Sequence, residues 1–268
     1  MVWGVGPGNP GLAATAAKYG RLMGYNEPDH WGPPPRPGSD VLSSGTFPDD
    51  FHCGSDELAT NWQQTVEAFL QADPTGQVIS PAMADASVTA SAGDYSKCDS
   101  SPQTAAQHMA ECEGWLKCFK ATALQKTCGS TNCWDAIDVL QLHAYFYTAD
   151  QFIAKMKIWE SAWADDLNGA NGRTKKTLWV TEFAHAGTTD PADLDGEAAK
   201  FMTGAVNYMK DSPHVSGWSW FSQTNTSFDS FVIDGVQPKA PFWASNLIDD
   251  AGALTQIGKV YADLCADL

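Results

Sequence analysis

The sequence has few basic residues. Lys and Arg together number 16 against 32 Asp and Glu, which gives a formal net charge of −16, and no cluster of basic side chains interrupts this excess. A negative field of this strength repels phosphate backbones, so we predict no nucleic-acid partner. A neutral polymer such as a polysaccharide would not be repelled, although acidity of this size also promotes solubility without implying any partner.

The sequence also lacks long hydrophobic runs. No apolar stretch approaches the roughly 20 residues that a bilayer-spanning helix needs, so we predict no membrane span. Residues 1–8 contain neither the basic region nor the apolar core of a secretory signal peptide. The expectation is therefore either an intracellular protein or a chain whose first part lies elsewhere.

Two kinds of catalytic centre are disfavoured because their motifs are missing. The Gly-x-Ser-x-Gly motif of serine hydrolases does not occur, and no cysteine stands beside a histidine at the end of a strand-like run. From Cys112 to Cys133 the cysteines are separated by five, nine and four residues, with no histidine among them. Zinc sites use closely paired cysteines or cysteines with nearby histidines, so this spacing predicts no metal site.

The chain does contain seven cysteines, which is many for a reducing compartment. Four of them fall in the region from Cys112 to Cys133, where we predict one or more disulfides. Because the count is odd, at least one thiol must stay free or bond to another chain. The full set is Cys53, Cys98, Cys112, Cys118, Cys128, Cys133 and Cys265.

Hydrophobic periodicity predicts a single α/β domain over residues 1–268. A chain of this length can bury one large core, and short apolar runs alternate with longer amphipathic stretches along it. Such alternation is typical of βα units around a parallel sheet. The six predicted strands are Val2–Val5, Leu22–Asn26, Val78–Ala82, Ile137–Tyr145, Leu178–Phe183 and Val215–Phe221.

Helical segments between these strands carry apolar side chains on one face. The three stripes are Leu58, Trp62, Val66, Phe69 and Leu70; Phe152, Met156, Trp159 and Trp163; and Leu194, Phe201, Met202, Ala205 and Met209. Two long segments, Asp29–Gly54 and Met83–Trp134, interrupt the rhythm. Both follow predicted strands at their carboxyl ends, which is the side on which a parallel barrel or sheet builds its active site.

Two glutamates, Glu27 and Glu182, each stand at the end of a short apolar run. A carboxylate at the end of a buried strand is costly to desolvate, so a fold that tolerates two of them usually directs both into one polar cleft. Two carboxyl groups in one cleft are the machinery of glycoside hydrolysis, and a separation of about 5 to 5.5 Å supports the retaining reaction.

The predicted strand Ile137–Tyr145 has one polar face. Alternation places Gln141, His143 and Tyr145 on that face. Its side chains need hydrogen bonds, which a barrel interior opening on a substrate cleft can provide. A histidine in this setting can be a core residue with satisfied hydrogen bonds, but the two nearby glutamates favour a functional role for His143.

Several of these motifs resemble those of clan A glycoside hydrolases. Gly24-Tyr25-Asn26-Glu27-Pro28-Asp29 is similar to the fourth-strand Asn-Glu motif of that clan, and Leu178–Ala184 to its seventh-strand motif. The closer resemblance is to glycoside hydrolase family 128, the alkali-sensitive linkage protein-like catalytic core. It extends from Met1 to the end of the chain, with residues 1–4 matching a third strand, residues 143–145 a sixth and residues 217–221 an eighth.

The resemblance implies a (β/α)8 barrel of the TIM type that acts as a retaining, endo-acting hydrolase of β-1,3-glucan. It implies that Glu27 is the acid/base, that Glu182 is the nucleophile and that Asn26 bonds the sugar 2-hydroxyl. Tyr145 would orient the nucleophile, and His143 would support either carboxylate. The candidates to stack on sugar faces are Trp3, Trp31, Trp218 and Trp220, although core packing is about as plausible for each.

One departure from the family pattern alters these expectations. If Met1 begins the third strand, the first two barrel strands are absent from the chain, which would leave strand edges unpaired. The alternatives are therefore a carbohydrate-binding cell-wall protein with weak or no catalysis, or a clan A hydrolase of another β-glycan. The two-carboxylate reaction needs no cofactor. We expect a monomer that binds β-glucan, secreted or in the cell wall as the full-length protein.

Overall fold

The computed structural model describes residues 9–28, 53–83, 114–185, 194–221, 247–249 and 251–266. The predicted strand Val2–Val5 and two of the candidate tryptophans, Trp3 and Trp31, lie outside these ranges. So do Cys98 and Cys112, together with most of the two long interrupting segments.

Five parallel strands form the main sheet. In chain order the strands are β1 (Arg21–Met23), β2 (Gln77–Met83), β3 (Thr127–Cys128), β4 (Thr131–Asn132), β5 (Val139–Phe146), β6 (Thr177–His185) and β7 (Val215–Trp220). The sheet has the order β1-β2-β5-β6-β7, whereas β3 and β4 form a separate antiparallel hairpin. Each strand of the sheet pairs with the one before it and the order never reverses, which is the arrangement of a barrel segment rather than of a doubly wound sheet.

The parallel sheet and five of the six predicted strands are confirmed by this topology. A mixed α/β fold with a parallel, half-barrel sheet is therefore the architecture of the described residues. Strand β1 ends earlier than the predicted strand Leu22–Asn26, because regular pairing stops at Met23 and resumes only as an isolated bridge between Asn26 and Ala82. In β2, the neighbouring strand, Pro81 has no N–H to donate, and the register shifts between Ile79 and Ala82.

Helices cover the outer face of this sheet. They are α1 (Asn9–Ala16), α2 (Asp56–Ala72), α3 (Trp115–Ala123), α4 (Ala149–Ala162), α5 (Ala164–Asn168), α6 (Leu194–Asp211) and α7 (Gln256–Cys265), with 3-10 turns at Ala17–Tyr19 and Ala170–Gly172. The predicted stripes of α2, α4 and α6 supply much of the core. Ser55 and Thr148 cap α2 and α4 by accepting hydrogen bonds from the backbone N–H groups of Leu58 and Gln151, which fixes where each helix begins.

Aromatic side chains fill much of the space between the sheet and the helices. Trp62 contacts Phe119 edge-on, with ring centroids 5.6 Å apart, and Trp134 stacks on Trp163 at 5.5 Å. Such pairs add to the stabilisation that burial alone provides. The core therefore accounts for many of the aromatic side chains that the structure describes.

Two disulfides lie within the described residues. Cys128–Cys133 closes the β3–β4 hairpin, and it confirms a disulfide in the predicted cysteine cluster. Cys53–Cys118 joins the residues just before α2 to α3, so its partner comes from outside that cluster. Cys265 on α7 is a free thiol. Across the described ranges, no helix is both long and apolar enough to cross a membrane.

A group of buried charges lies at the edge where the strands begin. We call Lys120, Trp134, Asp166 and Lys176 the basal cluster. The Asp166 carboxylate accepts hydrogen bonds from Lys120 Nζ at 2.5 Å and from Trp134 Nε1 at 2.8 Å. Lys176 Nζ donates to the backbone oxygens of Trp134 and Ile137, at 2.9 and 2.5 Å. Burial lowers the pKa of Lys176 to about 8, against the raising effect of the nearby Asp166.

Candidate active site

Glu27 lies just beyond β1, at a point where the chain passes very close to β2. A Cβ atom on Gly24 would lie 2.6 Å from the backbone nitrogen of Pro81, so only glycine permits this approach. The backbone N–H of Glu27 donates to Ala82 O, and the N–H of Ala82 donates to Tyr25 O, both at 2.8 Å. Glu27 itself has a φ of 46°, in the left-handed region of backbone conformation that residues other than glycine rarely adopt.

Strand β5 brings His143 and Tyr145 to the same edge of the sheet. As alternation requires, Gln141 and His143 lie on one face, and both are fully buried. The backbone N–H of Gln141 donates to Ser80 Oγ at 3.0 Å, and its side-chain amide donates to Ser80 O. These bonds tie the polar face of β5 to β2 below the level of His143.

Strand β6 carries Glu182 and contains a register shift that aims it at the site. Leu142 pairs with Val180, but the next residue of β5, His143, pairs with Glu182. One residue of β6, Thr181, is therefore extra at this point. Irregularities of this kind often lie next to active sites, where they redirect a side chain. Here the shift sets Glu182 beside His143.

The two glutamates converge on one histidine nitrogen. His143 Nδ1 lies 2.8 Å from Glu27 Oε1 and 3.4 Å from Glu182 Oε2. One oxygen of each carboxylate and the histidine nitrogen all lie within 4.8 Å of one another. The Tyr145 hydroxyl donates to Glu182 Oε2 at 2.5 Å. The side chains of Glu27 and Glu182 are 28% and 18% exposed, so both carboxylates remain reachable from solvent.

Burial and neighbouring charges shift the acidity of the groups around Glu182. Burial raises the pKa of Glu182, and the negative charge of Glu27 acts in the same direction. His143 and the hydrogen bond from Tyr145 oppose that rise, because both stabilise the carboxylate. Burial, reinforced by Glu182, raises the pKa of the Tyr145 hydroxyl far above its usual value. Tyr145 therefore keeps its proton and acts as a donor.

The residue types in this site could also ligate a metal ion. Glu27, His143 and Glu182 offer two carboxylates and one imidazole nitrogen. A histidine that binds metal usually donates its other ring N–H to a partner that fixes the ring. The Nε2 atom of His143 is buried and has no hydrogen-bond partner in the part of the chain that the structure describes.

Asn26 is placed beside Glu27 with an unused polar group. Its Oδ1 atom is buried and makes no hydrogen bond to any of the residues that the structure describes. A buried amide oxygen without a partner is costly, which is typical of a group that a ligand completes.

Of the four candidate tryptophans, the structure describes Trp218 and Trp220. Trp3 and Trp31 lie outside the described residues. Trp220 is only 2% exposed, with its ring 5.0 Å from Phe183 and 6.0 Å from Phe201, so it is part of the core on the helix side of the sheet. Trp218 is two residues earlier in the strand and half-buried, packed against the same core. Packing, which the sequence left open as an alternative, therefore accounts for Trp220.

Phe221, the residue that follows β7, does place its aromatic ring at the site. Its centroid lies 6.0 Å from that of Tyr145, edge-on. Gly217 faces Trp179, since a Cβ there would lie 2.9 Å from Trp179 Nε1. Alternation from Gly217 places Phe221 on that same inner face and Trp220 on the outer one. The alternation of side chains along this strand therefore places Phe221 on the inner face from the sequence alone.

Comparison with protein families agrees with this geometry. A family model described as glycosyl hydrolase catalytic core matches residues 1–261 of the chain. The chain has no match among curated protein sequences.

Several solved structures share the fold at low sequence identity. An endo-β-1,3-glucanase of glycoside hydrolase family 128 from Sorangium cellulosum is 20% identical, with a TM-score of 0.56 over 98% of this chain and 79% of that one. An oligosaccharide-binding protein of the family from Trichoderma gamsii is 18% identical, with a TM-score of 0.52 over 99% and 78%. An endo-β-1,3-glucanase from Amycolatopsis mediterranei in complex with laminaritriose is 16% identical, with a TM-score of 0.54 over 98% and 80%.

Proposed function

Because the chain belongs to the family of glycosyl hydrolase catalytic cores, we propose that it is a retaining, endo-acting β-1,3-glucanase with Glu27 as acid/base and Glu182 as nucleophile. The observation that carries the proposal is the convergence of two carboxylates on His143 Nδ1, with the three atoms within 4.8 Å. That spacing suits the retaining reaction, whose carboxyl groups are about 5 to 5.5 Å apart, better than the wider inverting geometry. The Sorangium cellulosum and Amycolatopsis mediterranei structures are both described as endo-β-1,3-glucanases.

The hydrogen bonds around each carboxylate support this division of roles. A nucleophile must be ionised, and Glu182 Oε2 accepts a hydrogen bond from the Tyr145 hydroxyl at 2.5 Å and lies 3.4 Å from His143 Nδ1. Both neighbours oppose the burial that raises the pKa of Glu182. Glu27 is the more exposed of the two side chains, which suits the exchange of a proton with the leaving oxygen and then with water.

The proposed reaction has two steps. In the first, a Glu182 oxygen attacks the anomeric carbon while Glu27 protonates the departing glycosidic oxygen, so the glycosidic bond breaks and a glycosyl-enzyme ester forms. In the second, Glu27 takes a proton from water, whose oxygen attacks the same carbon and releases Glu182. Asn26 hydrogen-bonds the sugar 2-hydroxyl, an interaction that strengthens in the transition state. Besides the glucan, these two steps use water and the two carboxyl groups of the protein.

We also propose a complete fold, a cellular location and an oligomeric state for the protein. The consecutive order of the five strands supports a single (β/α)8 TIM barrel as the catalytic domain. The two disulfides are typical of proteins that fold in oxidising compartments, which supports secretion or the cell wall as the location. A monomer remains the expected state.

Reducing-end release from a linear β-1,3-glucan tests the assignment directly. The purified protein should release reducing ends, and Glu27→Gln and Glu182→Gln should each remove that activity. Proton NMR of the first product formed should show the β-anomer, as retention requires. Unchanged turnover in Glu182→Gln, or an initial α-anomer, would contradict the proposed mechanism. Assays on other β-glucans and on mannans would identify a hydrolase of a different β-glycan.

A second candidate function is carbohydrate binding without hydrolysis. The structural neighbour from Trichoderma gamsii is described as an oligosaccharide-binding protein of the same family. A cleft of this fold is therefore compatible with binding alone. Retention of the protein on insoluble β-1,3-glucan, with no reducing ends released, would favour this function over the enzyme.

A further inference from the structure

The left-handed backbone at Glu27 needs support from its surroundings. A side-chain-bearing residue with a φ of 46° carries a cost of about 1 kcal/mol or more, so it persists only where neighbouring contacts determine it. Two backbone hydrogen bonds, from Glu27 N–H to Ala82 O and from Ala82 N–H to Tyr25 O, hold the main chain from this side. Both bonds join backbone atoms. Tyr25 also connects this part of the main chain to side chains on the helices that cover the sheet.

Tyr25 is fixed on the outer face of the sheet. Its side chain is fully buried, and its ring lies edge-on to that of Trp62, 5.5 Å away. Its hydroxyl donates to Asn61 Oδ1 on α2 at 2.9 Å. Asn9, the first residue of α1, donates to the same oxygen at 2.9 Å. We call Tyr25, Asn61 and Asn9 the Tyr25 anchor, because it fastens the end of β1 to two helices.

We propose that Tyr25 is a positioning residue for Glu27, acting through its hydrogen bond to Asn61. This inference rests on the proposed role of Glu27 as acid/base. Ala82 bonds both Tyr25 O and Glu27 N–H, so a shift of the Tyr25 backbone, which its side-chain hydrogen bond to Asn61 resists, would also displace the Glu27 backbone. Glu27 Oε1 is 2.8 Å from His143 Nδ1, a contact that such a shift would lengthen.

A buried tyrosine could instead contribute only to folding stability, and the two roles give different kinetics. A misplaced general acid slows the loss of a poor leaving group, which needs protonation as the bond breaks. It has little effect on a leaving group such as 2,4-dinitrophenolate, which departs as an anion. A loss of folded protein lowers the rate for both substrates by the same factor.

Tyr25→Phe tests the inference, because it removes the hydroxyl and keeps the ring against Trp62. Turnover of linear β-1,3-glucan should fall about tenfold with little change in KM, the size expected when a catalytic group is displaced by a fraction of an ångström. Turnover of 2,4-dinitrophenyl β-laminaribioside in its glycosylation step should fall about twofold or less, since that step does not require the acid. Asn61→Ala, which removes the acceptor, should reproduce this selective loss.

Tyr208→Phe is the matched control. Its hydroxyl donates to Glu160 Oε2 at 2.9 Å, so it loses a similar hydrogen bond between α6 and α4, away from Glu27. It should leave both substrates unaffected. Equal losses on both substrates in Tyr25→Phe, or no loss on either, would overturn the inference. If Tyr25→Phe does not fold, the same ratio measured in Asn61→Ala decides the matter.

Glu27→Gln separates a failure of this inference from a failure of the proposed function. It should show the same preference for the activated substrate, in a stronger form. If Glu27→Gln shows that preference and the two anchor variants do not, only the anchor is wrong. If Glu27→Gln itself lacks the preference, Glu27 is not the acid, and the proposed function and the inference both fail.

Discussion

The two ends of the parallel strands differ in the charged side chains that they bring together. Strand β6 begins directly after Lys176 in the basal cluster and carries Glu182 near its other end. In the basal cluster, the Asp166 carboxylate receives one donor on each oxygen, and Lys176 Nζ donates to two backbone carbonyls. At the opposite edge, which carries Glu27 and Glu182 and which we call the catalytic edge after their proposed role, two carboxylates face a single histidine nitrogen.

The difference indicates what each edge contributes. Opposite charges that are fully hydrogen-bonded are costly to break, because each loss leaves a buried partner alone. Like charges brought together cost stability, and they are kept where chemistry requires them. We therefore expect substitutions at the basal edge to lower stability and leave turnover intact, and substitutions at the catalytic edge to do the reverse.

The largest effect should come from Glu182→Gln. Loss of the proposed nucleophile should lower kcat on β-1,3-glucan by about 10⁴-fold or more, since the remaining groups cannot replace covalent attack. The measurement is reducing-end release, with circular dichroism to show that the fold is kept. Glu57→Gln, the same change in the first turn of α2, should be as active as the parent protein. Comparable losses in both variants would mean that general charge, not position, matters.

Asp166→Ala should produce the largest loss at the opposite edge. It leaves Lys120 and Trp134 Nε1 without their acceptor, so we expect the free energy of unfolding to fall by about 3 kcal/mol. Urea unfolding measures this loss, and turnover of the folded fraction at low temperature should stay near that of the parent.

Asp165→Ala is the control for that substitution, because the adjacent Asp165 is exposed on the same short helix. Its effect on stability should be within about 0.5 kcal/mol. A large loss of turnover in folded Asp166→Ala would contradict the division between the two edges.

Tyr145→Phe should have a smaller effect that is specific to pH. The hydrogen bond from Tyr145 lowers the pKa of Glu182, so its removal should raise that pKa further. Because the nucleophile must be ionised, the acid limb of the pH profile of kcat/KM should move to higher pH. At the optimum, kcat/KM should fall about tenfold, the usual worth of a hydrogen bond to a charged group. An acid limb that stays in place would show that Tyr145 does not act on Glu182.

Much of the fold could be predicted from hydrophobic periodicity, because each sheet strand is a short apolar run between amphipathic helices. The strand boundaries were less accessible. The end of β1 depends on how Gly24 fits against Pro81, a contact between segments far apart in the chain. The basal cluster could not be predicted either, since Lys120, Asp166 and Lys176 lie on three separate elements and form no local pattern.

The site shows a similar division between local pattern and tertiary detail. That Glu27 and Glu182 come close together followed from their places at the ends of parallel strands. That they share His143 Nδ1 depends on the register shift at Thr181 and on the left-handed backbone of Glu27, neither of which has a sequence signal. The sequence made Trp220 a candidate to stack on a sugar face, whereas in the structure Trp220 is buried in the core and Phe221 lies beside Tyr145.

The smallest predicted effect concerns the stability of the catalytic edge itself. Burial raises the folded-state pKa of Glu182 above its unfolded value, so the folded state holds that proton more tightly. The resulting stability is present below the unfolded pKa, about 4.3, and is lost as pH rises through the folded pKa. Because an amide does not ionise, the stability of Glu182→Gln relative to the parent protein should increase between about pH 4 and pH 7. Urea unfolding at both pH values measures the difference, and a parent protein that gains on the variant as pH rises would show that this carboxylate stabilises the fold.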